Sequence, residues 1–129
     1  MNKIIVEVSV GELLDKISIL EIKQEKIKDP NKLKFIKDEY SILKDQLDTN
    51  VKSTSEINKL YKSLKEINAK LWVIEDDKRL CEKEKKFDEK FIKLSRDVHF
   101  LNDERARVKL EINTLMNSNI KEIKEYTDY

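Results

Sequence analysis

From Val10 onward, apolar residues recur at spacings of three and four along most of the chain, the rhythm of helices that bury one face. The start is different. Ile4-Ile5-Val6-Glu7-Val8 is short and β-branched, which predicts an extended segment over 3–8 or a lone strand. A lone strand needs a partner, either the same segment of a second chain or the C-terminal tail. Ser9 and Glu12 then form the S-x-x-E capping box, in which each side chain satisfies the other residue's backbone N–H, so a helix is expected over 10–28. Val10, Leu13, Ile17, Leu20 and Ile27 make its stripe, and Leu14, Ile19 and Ile22 widen it. The first half of this helix should therefore be buried on more than one side. Asp15 and Lys16, set among those apolar positions, are expected at its exposed edges.

Asp29-Pro30 punctuates the chain, because proline disfavours helical dihedrals at the residue before it and is pre-organised for a first turn. A second helix is expected over 30–48, with Leu33, Ile36, Tyr40, Leu43 and Leu47 as its seam. Ser53 and Glu56 offer another capping box, opening a third helix over 54–84. Its stripe is Ile57, Leu60, Leu64, Ile67, Leu71 and Ile74, continuing weakly to Cys81, with Trp72 placed in the core beside it. Phe87, Phe91, Leu94, Val98, Leu101, Val108, Ile112 and Leu115 form a fourth stripe, over 88–117, in which Arg105 takes a seam position. No strong breaker separates the last two stripes, yet a continuous helix there would be about 90 Å long, too long for one domain of this size. A turn is therefore placed near Lys85-Lys86, with Asp88 as N-cap and Phe87 and Ile92 as a hydrophobic staple. The tail over 118–129 spaces Ile120, Ile123, Tyr126 and Tyr129 by threes, which suits a short helix or an aromatic-anchored wrap.

The resulting fold class is all-α: one helical domain over 1–129, a coiled-coil-like bundle of about four helices in antiparallel hairpins, with an extended N-terminal segment. Composition agrees. Charged residues are 41% of the chain, against about 25% in average globular proteins, while 39% hydrophobic content in periodic order excludes disorder. That balance suits long, thin helices with much solvated surface. One Gly and one Pro leave little room for the tight turns of hairpin-rich β folds.

A net charge of +1 supplies no global pull toward nucleic acid or an acidic membrane, and neither is expected as a partner. Cys81 is the single cysteine, so an internal disulfide and a cysteine metal cluster are excluded. Without an apolar run near 18 residues or a secretory core, the chain is expected to be cytoplasmic. Glycine-rich phosphate loops, His/Cys metal spacings and Ser-His-Asp arrangements are all missing from the sequence, so neither a cofactor nor a catalytic residue is assigned.

Chemistry is concentrated instead where polar residues fall on or near the apolar stripes. Glu75, Asp76 and Arg79 share one side of the third helix, beside Trp72. Arg96, His99, Asp103 and Arg107 share a face of the fourth, and Asn102, Arg105, Lys109 and Asn113 share the next. If the two helices are antiparallel neighbours, these groups can meet in a partly buried polar layer; the plainer reading is a solvated face of weak ion pairs. Arg105 resists the plain reading, because a charge in a seam needs a partner. The leading functional expectation is a non-enzymatic module that self-associates, as a dimer, or binds a protein partner. The alternative is a small helical enzyme or anionic-ligand binder with a pocket lined by Arg96, Arg105 and Arg107.

The blocks Val8-Ser9-Val10-Gly11-Glu12-Leu13-Leu14-Asp15-Lys16-Ile17, Ile19-Leu20-Glu21-Ile22-Lys23, Leu71-Trp72-Val73-Ile74-Glu75-Asp76, Asn102-Asp103-Glu104-Arg105-Ala106 and Glu125-Tyr126-Thr127-Asp128-Tyr129 come in an order that resembles a domain-of-unknown-function family of short proteins of bacteria and their phages. The resemblance spans nearly the whole chain. It implies a small helical fold and carries no activity or catalytic residues. It also draws attention to Gly11, which sits at the second helical position against its propensity and so suggests a close backbone contact.

Overall fold

The computed structural model describes residues 2–129 as four helices: α1 (Val10–Lys26), α2 (Pro30–Asn50), α3 (Ser55–Glu84) and α4 (Glu89–Leu115). Among the described residues there is no strand, and no helix is long and apolar enough to cross a membrane. The segment before α1 makes no ladder, and Ile4, Ile5 and Val6 are 87%, 80% and 70% exposed. Its Glu7 carboxylate accepts hydrogen bonds from the Asn119 amide at 2.9 and 3.0 Å, so both chain ends leave the bundle at one place.

Helix starts follow local capping chemistry, with two departures. Ser9 accepts the Glu12 N–H at 3.1 Å as expected, but the Glu12 carboxylate does not return to Ser9; it pairs with Lys109 of α4 at 2.7 Å. An opposite charge outbids a neutral N–H for a carboxylate. At α3 the cap is Thr54, not Ser53: Thr54 has the extended backbone that immediately precedes helical dihedrals, and its hydroxyl accepts the Ile57 N–H. The Ser53 hydroxyl donates to Asn58 instead. Asp29 and Asp88 cap α2 and α4 by accepting N–H groups of their first turns.

The break between α3 and α4 falls at Lys85, whose φ of 57° is left-handed. Lys86 N–H bonds the Cys81 carbonyl and Lys85 N–H that of Glu82, a Schellman closure built without glycine. Phe87 then packs edge-on against Phe91, with ring centroids 5.3 Å apart, while Ile92 is exposed, so the staple is aromatic and one position earlier than expected. Because a side chain in the left-handed region is strained, Lys85→Gly should stabilise the fold by about 0.5–1 kcal/mol and raise the thermal midpoint by about 2–5 °C. An unchanged or lower midpoint in calorimetry would show that the strain is already relieved.

α1 is the centre of the molecule. Leu13, Leu14, Ile17, Leu20 and Ile22 are buried all round it, leaving only a narrow strip through Lys16 in water. α2 lies along one side of it, and the α3–α4 hairpin along the other. The core cluster of Leu14, Ile57, Leu64 and Ile112 joins α1 to the start of α3 and the end of α4, with Leu47 of α2 and Tyr61 packed against it. At 1.5 Å per residue α1 is about 25 Å long, whereas α3 and α4 run for about 45 and 40 Å. The contacts that fix α1 fall between Ile57 and Asn68 on α3 and between Arg105 and Asn113 on α4. Beyond them, from about residue 70 to 101, α3 and α4 continue as a two-helix arm. Along that arm the seam residues Ile74, Phe91, Leu94, Val98 and Leu101 are half-buried, and Trp72, expected in the core, is half-buried too, because two helices alone cannot enclose an indole.

Candidate functional site

Gly11 determines how α1 meets α4. A Cβ built there would lie 2.6 Å from the Lys109 carbonyl oxygen and 2.8 Å from Asn113 Oδ1, so only glycine lets the two backbones come this close. The approach gives the N–H groups at the start of α1 partners from the far end of the chain: Gly11 N–H donates to Asn113 Oδ1 at 2.7 Å, and Val10 N–H to the Ser118 hydroxyl at 3.0 Å.

One turn further along, the same approach carries Asp15 into the interface between three helices. Asp15 is 2% exposed, although a charged residue among apolar neighbours was expected at an edge; Lys16 does face water. The carboxylate is paid for by a full set of partners. Arg105 donates to it through Nε at 3.0 Å and through Nη2 in a bidentate ion pair, Asn68 of α3 donates at 2.8 Å, and Lys109 Nζ stands 3.4 Å away. Asn68 also donates to the Ser18 hydroxyl, which in turn donates a hydrogen bond to the Asp15 backbone carbonyl, and no buried side-chain polar atom among the described residues lacks a partner. Burial pushes the Asp15 carboxyl up, but the Arg105 and Asn68 hydrogen bonds and the two nearby cations outweigh it and hold the group below its ordinary range. The Arg105 guanidinium is raised in turn, chiefly by its hydrogen bonds to Asp15.

Above this ion cluster lies an open polar cleft of about 500 Å³, walled by α1, α4 and the returning tail. Glu12 of α1, Asn102, Arg105 and Lys109 of α4, and Glu122, Lys124 and Tyr126 of the tail line it. The tail makes no helix. It runs back beside α4 and ends with Tyr129 edge-on to His99 and Phe100, at centroid distances of 5.3 and 5.4 Å, its hydroxyl donating to Asp103. That hydrogen bond raises the Tyr129 phenol above its ordinary range.

Of the residues singled out in the sequence, the structure brings Asn102, Arg105 and Lys109 together at the cleft and puts Asp103 and His99 under the end of the tail. Glu75, Asp76, Arg79, Arg96 and Arg107 face solvent, and no ion pair links the α3 acids to the α4 arginines among the described residues. The polar layer lies between α1 and α4 and not between α3 and α4, because the α3–α4 seam itself is filled by apolar residues. Arg96 lies over the Phe100 ring instead, 5.7 Å from its centroid. Asp15, Asn68, Glu12, Glu122 and Lys124 are further members, which the pattern of the sequence does not single out. A second polar cluster, also unselected, sits further along α1, where Tyr40 and Tyr61 both donate to Glu21 and Lys65 bridges Glu21 and Glu25. Burial, then Glu21, drives the Tyr61 phenol far above its ordinary range, so it stays a donor.

The arm offers a different surface. Outside its seam, Val73, Leu80, Phe87, Ile92 and Phe100 are each 41–56% exposed. Val73 and Phe100 also line a shallow, mostly apolar groove of about 600 Å³ with Ala69, Ile74 and Leu101.

No curated protein and no solved structure matches the chain. A family model does match, over residues 4–128, and the chain accordingly belongs to the family of unknown function DUF6165.

Proposed function

We propose that the protein is a non-enzymatic helical module that self-associates through its α3–α4 arm, the partner being the same arm of a second copy. The observation that carries this reading is the surface left uncovered. The chain exposes 9688 Å², whereas a compact monomer of its mass exposes roughly 7,200 Å², an excess of about 2,500 Å². Stable homodimers bury areas of that order. Some of that surface belongs to the two chain ends and to Phe35 and Ile42 of α2, but on the arm its apolar part is aligned on packed helices, with Val73 and Leu80 one heptad apart on α3 and Phe100 across the groove. A second helical pair laid on this groove gives the half-buried seam the further layer that a four-helix bundle supplies. Between residues 69 and 103 Lys and Arg balance Asp and Glu, so two arms meet without net repulsion. Among the described residues no set of His, Cys, Asp and Glu side chains is placed to hold a metal ion.

Light scattering on the eluting protein at micromolar concentration should give twice the chain mass. Val73→Glu with Leu80→Glu should return it to the single-chain mass with helical circular dichroism intact. A strict monomer at high concentration would remove self-association. A dimer indifferent to those two substitutions would move the interface off the arm.

A further inference from the structure

The cleft holds a charge that is easier to remove than the rest. Glu122 lies on the tail, where no residue after Ser118 makes a backbone hydrogen bond among the described residues, and its side chain is 46% exposed. Its carboxylate is kept in place by two ion pairs, to Lys124 at 2.7 Å and to Lys109 at 3.6 Å. Exposed pairs of this kind are weak. Glu12 and Asp15, in contrast, are fixed on α1 and hydrogen-bonded into the bundle.

With Glu122 in place, the cleft's cations Arg105, Lys109 and Lys124 are matched by Glu12, Asp15 and Glu122. Remove Glu122 alone, and one positive charge is left over, on side chains that already line a cleft of about 500 Å³. We propose that this cleft is a binding site for a small monocarboxylate, and that Glu122 is the chain's own stand-in for that ligand, displaced when it binds.

A single carboxylate restores neutrality, whereas a dianion such as phosphate leaves a net negative charge beside Glu12 and the buried Asp15. The ligand's carboxylate takes the position of the Glu122 carboxylate, between Lys109 and Lys124. Asn102 and Tyr126 on the walls supply neutral hydrogen-bonding groups, so hydroxy or amide substituents on the ligand are favoured over alkyl ones. The hydrogen bond from Lys124, working against slight desolvation, holds Glu122 below its ordinary range, so the stand-in is ionised at neutral pH, when it competes with the ligand. This inference concerns a different surface from the arm and does not depend on self-association.

The test is an amide-resonance titration of the whole chain with lactate up to tens of millimolar at neutral pH, at ionic strength held constant with chloride, for wild type, Glu122→Gln and Lys124→Gln. Saturable shifts confined to residues around Arg105, Lys109 and Lys124 are expected. Affinity should rise roughly two- to fivefold in Glu122→Gln, as befits removal of weak competing pairs, and fall in Lys124→Gln. Both substitutions are at exposed positions, and retained circular dichroism will show that both variants fold. Saturable binding in Glu122→Gln alone supports the proposal, with the stand-in outcompeting lactate in the wild type. Absence of saturable shifts in a folded Glu122→Gln variant, equal effects of lactate and chloride, or tighter binding of phosphate than of lactate would overturn it.

Discussion

Replacing Asp15 by alanine is expected to cost about 3–5 kcal/mol of folding stability, a large part of the 5–15 kcal/mol that single domains possess. The loss does not come from the ion pair's net worth, which is small once desolvation is counted. It comes from what is left behind: Arg105 keeps a half-buried guanidinium with Asn102, at 3.5 Å, as its remaining hydrogen-bond partner, and Asn68 loses one acceptor. Lys109 is less affected because Glu12 still holds it. Urea unfolding should show a much lower midpoint for Asp15→Ala than for wild type, and a shift under 1 kcal/mol would mean that water reaches the cluster freely. The double variant Asp15→Leu with Arg105→Met should recover most of the loss, since replacing both charges by apolar groups removes the orphan.

The same carboxylate sets an acid limit on the fold. Its folded pKa lies below the ordinary value of 3.8, so the folded state binds fewer protons at Asp15 than the unfolded chain does as pH falls through that range. Its contribution is therefore complete above the unfolded value, constant toward neutral pH, and lost as pH drops through the ordinary carboxylate range to the folded pKa. In Asp15→Asn that part of the acid dependence should vanish, which flattens the stability curve below about pH 4.

Two anomalies in the sequence point to this cluster, and they are legible only as a pair. Arg105 breaks an apolar stripe on α4, and Asp15 sits in a helix whose apolar positions go all round it. A helix buried on more than one side has almost no edge for Asp15 to occupy, and a seam arginine requires an acid. Each is the other's answer. Spacing within one helix could not show it, because 90 residues separate them and the crossing of α1 over α4 is a tertiary fact. For the same reason the exposure of Glu75 and Asp76 could not be read from spacing: they share a face with Arg79 along α3, but which way that face points depends on how α3 rolls against α4. The helices themselves were readable, since caps and heptads are local. The turn at Lys85 was signalled by length, by Asp88 and by the staple candidates Phe87 and Ile92, as no glycine marks the left-handed residue. Glu122 and Lys124 carried no signal, because the spacing by threes in the tail marks Ile120, Ile123, Tyr126 and Tyr129 and leaves open where the charged residues between them lie once the tail forms no helix.

Gly11→Ala should destabilise the fold by about 2–3 kcal/mol, although alanine is the better helix former by up to about 1 kcal/mol. The new methyl group would press on a backbone carbonyl, that of Lys109, which cannot rotate aside as a side chain can. α1 and α4 would have to separate by several tenths of an ångström. Separation lengthens the Gly11 N–H bond to Asn113 and, one turn on, loosens Asp15 from Arg105, so a packing fault is converted into an electrostatic one. Asn113→Ala removes the same hydrogen bond without the clash and should cost only about 1 kcal/mol. The ordering of the two variants is thus diagnostic in thermal or urea unfolding. If Gly11→Ala proved as stable as wild type, the close approach would not be what positions α1, and Asp15 would owe its burial to the apolar ring around it. If instead Gly11→Ala also slackens the acid dependence assigned to Asp15, a single absent Cβ is what brings the carboxylate of α1 within reach of the arginine of α4.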